Sequence, residues 1–321
     1  MPQQLTSTLF TVRHRWRAWS APPVRPSYLA KRSALRRVRV LGHELGQRDP
    51  VFDVNGKLDA RAWADQLGVR QAGLLAHVQA AADLPWSSLP ERFVIKPVRG
   101  AGSRGVHLIG RDGDSYRDLR RGESVTAEEV VEDLRALASK GTISSDLLVE
   151  ELVADPSRPG AGPVDWKFST FFGEVGVVEA KVSSADGEPQ WKLFDADWID
   201  LGDGWVDDHA PATSLAPPLH AAELMDLARR ISACVPRPFL RVDLYDSEEG
   251  PVFGEVTPEP GGPVGFRRDV DELLGGLWEE AEARLMVRAA DAGVISPVDA
   301  PLPESALRLP RRPLATASEG H

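Results

Sequence analysis

The chain has 321 residues, of which 42% are hydrophobic and 27% charged, ordinary values for a globular protein with a substantial core and length for about two domains. Its net charge of −10 is unevenly spread: residues 1–48 hold ten Lys/Arg against one acid, Glu44, leaving 28 basic and 47 acidic residues elsewhere. An acidic body argues against general nucleic-acid binding, although the basic arm could touch phosphate or an anionic surface; one cysteine excludes an internal disulfide, and the lack of an apolar run of about 18 residues excludes a spanning helix.

The first residues carry charges but no apolar stretch of the secretory kind, so the expected location is the reducing cytoplasm. In chain order, 27–44 reads as a basic helix with Leu29, Leu35, Val38 and Leu41 as its apolar stripe. The preferred reading of this arm is a helix packed on the acidic body; contact with a polyanion is the alternative. Residues 59–82, rich in Ala, Leu and Gln, predict one or two helices capped by Asp59. Short apolar strands follow at 92–96 and 106–109, then a helix over 126–139 whose Thr126 and Glu129 form a capping box. Strands are expected at 147–153, and at 167–172 and 175–182 around the turn Phe172-Gly173-Glu174. A helix over 220–235 carries Cys234, read as a packed core thiol, and a second hairpin joins 239–245 to 252–256. The last elements are a helix over 269–290 and a Pro-rich tail over 296–321. Strands joined by hairpins with helices between the groups predict an α+β fold with antiparallel sheets.

Two clusters carry chemistry. Gly100-Ala-Gly-Ser-Arg-Gly105 matches G-x-G-x-x-G, but a strand follows it rather than a helix, so a dinucleotide fingerprint fails on context. No Gly-Lys-Ser/Thr makes it a Walker loop, and its lysine, Lys96, precedes the glycines, unlike the kinase order. A small-residue loop between two strands can fold over a triphosphate, with its amides as donors and Lys96 as charge partner; a plain hairpin turn is the competing reading. Downstream, strict alternation in Arg241-Val-Asp243-Leu-Tyr245 puts Arg241, Asp243 and Tyr245 on one strand face, and the partner strand brings Glu255 beside Asp243. Adjacent carboxylates favour a cation between them, and Mg²⁺ takes one or two carboxylates plus phosphates. The competing reading is a solvated face with a surface Arg–Asp pair. The seven histidines show no H-E-x-x-H spacing. The stretch 186–209, with Trp191, Trp198 and Trp205, either borders an acceptor pocket or is a surface excursion.

The segment Phe93-Val-Ile-Lys-Pro-Val-Arg-Gly-Ala-Gly-Ser-Arg-Gly-Val resembles the strand–lysine–glycine loop of D-alanine–D-alanine ligases, and Arg241-Val-Asp243 with Glu255-Val-Thr-Pro-Glu-Pro-Gly resembles their metal-binding hairpin. Asp165-Trp-Lys-Phe168, Arg241-Val-Asp-Leu-Tyr245 and Phe253-Gly-Glu-Val-Thr257 are most similar to the teichuronopeptide-biosynthesis (TupA-like) family of the ATP-grasp superfamily, from about residue 50 to 266. The resemblance implies an ATP-grasp fold, two α/β subdomains with antiparallel sheets clasping ATP. It implies a lid over 91–153 and a C-terminal subdomain over 154–292, after a helical region over 49–90; the basic arm over 1–48 and the flexible tail over 293–321 lie outside the resemblance.

It further implies that Lys96 binds ATP phosphates under Gly100, Gly102, Ser103 and Gly105. Glu150, Glu151, Leu152 and Val153 hold adenine, and Asp165 holds the ribose. Lys167 reaches phosphate, and Asp243, Glu255 and Thr257 hold Mg²⁺. Arg241 with the backbone of Gly261 and Gly262 stabilises an oxyanion. The superfamily's upstream lysine is replaced in Asp65-Gln66-Leu-Gly-Val-Arg70, where Arg70 is the substitute cation. The implied reaction joins a small-molecule or peptide carboxylate to an amine through an acyl phosphate, in peptide, natural-product or cell-surface-polymer biosynthesis. The alternatives are a phosphotransferase and a non-catalytic ATP–Mg²⁺-binding module.

Overall fold

A computed structural model describes residues 25–46, 51, 54, 56–100, 102–113, 115–183, 188–206, 209–261 and 265–291. Among them lie two antiparallel sheets and five α-helices, as the α+β expectation requires. The first sheet has the order β1-β6-β2-β3-β4-β5, made of β1 (Leu74–Val78), β2 (Arg92–Pro97), β3 (His107–Asp112), β4 (Ser115–Asp118), β5 (Glu123–Val125) and β6 (Leu147–Glu151). The second has the order β11-β10-β7-β8-β9, made of β7 (Asp165–Phe171), β8 (Glu174–Ser183), β9 (Pro189–Asp195), β10 (Leu240–Ser247) and β11 (Gly250–Thr257).

The helices are α1 (Tyr28–Glu44), α2 (Lys57–Gln66), α3 (Ala127–Ser139), α4 (Ala221–Cys234) and α5 (Arg268–Asp291). Helix α3 starts with the expected capping box, Thr126 Oγ1 accepting from Glu129 N while Glu129 Oε2 accepts from Thr126 N. It buries Val130 and Leu134 against Phe93, Ile95 and Ile109 of the first sheet. Under the second sheet, α4 buries Leu224, Ala228 and Ile231 against Trp166, Phe168, Val242 and Leu244. The β7–β8 hairpin closes on Phe172 (φ 44°) and Gly173 (φ 94°), two left-handed residues whose twist suits a two-residue turn.

Four expectations are corrected. The stretch 59–82 is one helix followed by strand β1: Gly68, at φ 64°, ends α2, and Leu74–Val78 extends the first sheet by pairing with β6. Asp59 does not cap α2; the N-cap is Gly56, where a Cβ would come within 2.6 Å of the Asp59 carboxylate folded back on it. Cys234 is exposed, because the apolar face of α4 passes from Ile231 to Val235 and leaves the thiol outside. Leu29 and Val38 of α1 are also exposed; the residue that α1 buries is Tyr28. The tail and residues 1–24 lie outside the described residues. Among the described residues no helix is long and apolar enough to cross a membrane.

Helix α1 packs along α5, with Tyr28 edge-on to Phe239, Phe266 and Trp278 at 5.4–5.9 Å between centroids. Its cations meet acids of the body: Lys31 Nζ lies 2.6 Å from Glu282, and Arg39 Nε lies 2.6 Å from Glu259. This is the packed helix of the preferred reading, and polyanion contact gains no support from it. Tyr28→Ala is expected to destabilise the protein by about 3 kcal/mol or more in urea denaturation, the cost of removing a buried aromatic; a loss under about 1 kcal/mol would mean that α1 is not docked in solution.

Candidate functional site

The alternation of β7, β8 and β10 sorts polar from apolar residues across the second sheet. Trp166, Phe168, Val178, Ala180, Val242 and Leu244 go to the α4 side. Asp165, Lys167, Glu179, Lys181, Arg241 and Asp243 therefore share the other face. Register then lines up one transverse row, with Glu255 opposite Asp243, Asp243 opposite Lys167, and Lys167 opposite Glu179. Gly254 allows the bulge beside Asp243, since a Cβ there would lie 3.0 Å from both the Asp243 carbonyl oxygen and the Tyr245 ring.

Asp243 is the hub. Arg241 donates to both its oxygens, Nε to Oδ1 at 2.6 Å and Nη2 to Oδ2 at 2.7 Å, and Lys167 Nζ donates to Oδ2 at 2.6 Å. Arg241 also donates to Thr257 Oγ1 at 3.0 Å and lies 3.5 Å from Glu255, while Lys167 reaches Asp165 Oδ2 at 2.7 Å. Burial works against the charge on Asp243, but Arg241 and Lys167 outweigh it and hold the carboxyl below its ordinary range. The same balance raises Lys167, where Asp165 and Asp243 overcome burial. The opposite oxygen of Asp165, Oδ1, is buried and has no hydrogen-bond partner.

From the first sheet, Lys96 on β2 pairs with Glu150 on β6, and Arg61 of α2 donates to Glu150 Oε1 at 3.0 Å. Glu151 accepts from the amide of Gly73, and Leu152 and Val153 follow at the half-buried end of β6. The glycine loop holds three consecutive-region left-handed residues, Gly102, Ser103 and Gly105, at φ 60–68°. Gly105 has a second reason to be glycine, because a Cβ would sit 2.8 Å from Ile143. The loop bridges the two sheets: Lys181 Nζ donates to Ser103 Oγ at 3.1 Å and Arg120 Nη1 to its carbonyl at 3.2 Å. Tyr245 feels Asp165, Glu255, Asp243 and Glu150 together; burial first, then those charges, raises its hydroxyl well above the ordinary value.

The structure thus brings Lys96, Ser103, Glu150, Asp165, Lys167, Arg241, Asp243, Glu255 and Thr257 to the facing sides of the two sheets. Gly261 lies exposed at the rim, and Gly262 lies outside the described residues. Arg70 is not near this group: it pairs with Glu249 and Ser247 at the β10–β11 turn, and Gln66 is exposed. The cations that α2 does bring are Lys57 and Arg61. Burial, with Lys96 nearby, lowers Lys57 despite Glu255 and Glu150. Sequence reasoning missed Lys57 because it sits nine residues ahead of the expected position, at the first turn of a helix whose start was misplaced.

The donor set suits a hard cation of few protein ligands. Asp243 Oδ2 has both lone pairs engaged by Arg241 and Lys167, but Oδ1 keeps one. The half-exposed Glu255 and the Thr257 hydroxyl stand beside it. No three His, Cys, Asp or Glu side chains cluster among the described residues, so a full protein cage is excluded there; Mg²⁺, which completes its shell with phosphates and water, fits. The unpaired Asp165 Oδ1 fits a ligand hydroxyl in the same way.

Beside the charge row lies a cavity of about 180 Å³, lined by Lys167, Glu179 and Arg241 below and by Tyr28, Trp191, Trp205 and His209 around it. So the stretch 186–209 contributes Trp191, Trp205 and His209 to a pocket wall, whereas Trp198 packs inward on Trp166 and Phe168. Glu179 is 8% exposed, and burial pushes its carboxyl up to about 7, Arg241 and Lys167 offsetting only part. A folded-state value above that of the unfolded chain means protons are released on unfolding, so this group costs stability as pH rises from 4.5 to about 7. Glu179→Gln cannot ionise; its stability relative to wild type is expected to rise by roughly 3 kcal/mol between pH 4.5 and pH 8, read by urea titrations. A pH-independent difference would contradict the burial of this charge.

The model of the TupA-like ATP-grasp family matches residues 61–279. Among solved structures, the D-alanine–D-alanine ligase of Bacillus anthracis complexed with ATP is similar at 14% identity over 78% of this chain and 76% of that one, with a TM-score of 0.47. VanG D-Ala:D-Ser ligase of Enterococcus faecalis aligns at 14% identity over 73% and 62%, TM-score 0.45. The ATP-grasp ligase PsnB complexed with its minimal precursor aligns at 15% over 73% and 62%, TM-score 0.41. No curated protein sequence matches. The chain belongs to the TupA-like ATP-grasp family, and its paired antiparallel sheets are that family's ATP-grasp fold.

Proposed function

We propose that the protein is an ATP-dependent carboxylate–amine ligase whose nucleotide lies between the two sheets. The observation that supports this best is the meeting of two separate sets of groups: Lys96 and the glycine loop from one sheet, and Asp165, Lys167, Asp243 and Glu255 from the other, joined at Lys181–Ser103. In this reading 91–153 is the lid and 154–292 the body. The amides of Gly100, Gly102, Ser103 and Gly105 and the ammonium of Lys96 face the phosphates, and Lys57 adds a second cation. Glu150, Glu151, Leu152 and Val153 border adenine, and the free oxygen of Asp165 accepts from a ribose hydroxyl.

Asp243, Glu255 and Thr257 would hold Mg²⁺, which would supply charge neutralisation at the transferred phosphoryl group. Lys167 and Arg241 are fixed by Asp243 with little freedom left, so they are pre-aimed at the charge that develops on a carboxylate as it becomes an acyl phosphate. The chain needs no nucleophilic side chain for this, since positioning and electrostatics do the work. Gly261 and Gly262, at the rim, are assigned to the oxyanion. Amide formation then consumes the acyl phosphate with release of inorganic phosphate. Peptide, natural-product or cell-surface-polymer synthesis is the setting this chemistry suits.

Isothermal titration with ATP and Mg²⁺, followed by ATP-consumption screening of carboxylate and amine pairs with mass analysis, tests the reading. Glu255→Gln is expected to reduce turnover at least 100-fold with an unchanged melting temperature, because the half-exposed Glu255 carries little of the fold. Wild-type turnover in that variant would remove the metal assignment. ATP binding without consumption, whatever the pair, would leave a binding module instead of a ligase.

A further inference from the structure

We propose that the cavity over Glu179 is the amine subsite, and that the Glu179 carboxylate receives the ammonium group of the nucleophile under the aromatic wall of Trp191 and Trp205. The inference rests on the ligase reading above and adds to it the acceptor's place and charge.

The argument starts from what Glu179 lacks. It sits in mid-strand on β8, opposite Lys167, with nine-tenths of its surface removed from water. Buried carboxylates are normally paired, because an unpaired one forfeits its hydration. Among the described residues the Glu179 side chain makes no hydrogen bond and no ion pair; its backbone is spent on the ladder with β7 and β9. The two cations nearest it are committed elsewhere: Lys167 to Asp165 and Asp243, Arg241 to Asp243 and Thr257. Its carboxylate borders the cavity, so the missing partner has room to come from outside the protein.

The walls say which partner. The floor holds Lys167 and Arg241 beside Glu179, but Asp165 and Asp243 already neutralise those two, so the Glu179 carboxylate is the floor group left to meet a cation. Trp205 stacks on His209 at 4.6 Å, and Trp191 stands edge-on to both, giving an aromatic wall. Lys181 already lies 5.4 Å from the Trp191 ring, so this ring accepts a cation over its face. A primary ammonium attached to a flat or apolar body satisfies both the floor and the walls. The volume of about 180 Å³ fits a group the size of one amino-acid side chain rather than a long peptide.

The position also suits the chemistry. Glu179 is one strand from Lys167 and two from Asp243, so an amine held there faces the carbonyl of an acyl phosphate bound over that row. The ammonium gives one proton to Glu179. The free amine forms the C–N bond as the C–O bond to phosphate breaks, and its second proton leaves with hydrogen phosphate. Asp165 and Lys167 from β7, Lys181 on β8, Arg241 and Asp243 from β10, and Tyr28 and His209 from the walls are the charged and titratable groups around this step.

The probe is 2-phenylethylamine, cationic at pH 8, compared with its neutral counterpart 2-phenylethanol, both followed by saturation-transfer NMR on the full chain with ATP–Mg²⁺ binding measured on the same samples. Wild type is expected to bind the amine at least tenfold more tightly than the alcohol. Glu179→Gln is expected to bind the two equally while keeping ATP–Mg²⁺ affinity and melting as a folded protein. Glu179→Asp, which keeps the charge, is expected to retain a preference for the amine. Equal binding of the two probes by wild type, or an undiminished preference in Glu179→Gln, would overturn the amine subsite with the ATP reading intact. Failure of wild type to bind ATP–Mg²⁺ would overturn the ligase reading and the acceptor role with it.

Discussion

Three charges in the middle of the second sheet, Lys167 and Asp243 buried and Arg241 partly so, set the condition that the rest of the structure has to meet. An ion taken out of water costs several kcal/mol unless a partner of opposite charge meets it with good geometry. Here the partners come from two strands, so the cost is offset only when β7 and β10 pair in the register that puts Asp243 opposite Lys167. A one-residue slip of β10 against β7 would send Arg241 and Asp243 to the α4 side, away from Lys167, and bring Val242 and Leu244 out of the core. Polar network and hydrophobic core therefore enforce the same register. The left-handed Phe172–Gly173 turn fixes the β7–β8 register and the Gly254 bulge the β10–β11 one, and these extend the same row to Glu179 and Glu255.

How much of this could be read from sequence follows from how local each signal is. The alternation in Arg241–Tyr245, the turn at Phe172-Gly173 and the Thr126 box each lie within a few residues, and all three appear where expected. Strands β1, β4, β5 and β9 were not legible. Three of them have five residues or fewer, and β1 exposes Leu74 and Leu75, so neither length nor alternation marks it apart from a helix. The cysteine at the end of α4 was misread for a related reason: one residue of helical rotation at the last turn decides between core and solvent.

The site divides along the same line. Asp243 and Glu255 were legible because both belong to one hairpin. Glu179 was not, because in Val175–Val182 it stands among valines, and only the pairing of β8 with β7 reveals that its face is the polar one. Lys57 and Arg61 were missed because their meaning depends on where α2 is packed, a long-range fact with no local mark. The superfamily pattern looked for a cation near Gln66, whereas the fold supplies its cations from the other end of the same helix.

The basic arm shows how a charge pattern can serve packing and site shape together. Residues 28–44 carry five cations whose natural reading is a surface that seeks anions. In the structure Lys31 and Arg39 meet Glu282 and Glu259 of the same chain, and Arg32 donates to the carbonyl of Pro260 at 2.7 Å. That last bond ties the arm to the turn after Glu255, and Tyr28 from the same helix forms part of the cavity wall beside Glu179. The pairs at the surface are each worth little in water. Their larger effect is to hold Tyr28 among Phe239, Phe266 and Trp278, where its ring closes one side of the cavity. A helix that would be dispensable as a tether is then part of the pocket, and the desolvation that lifts Glu179 depends on its staying in place.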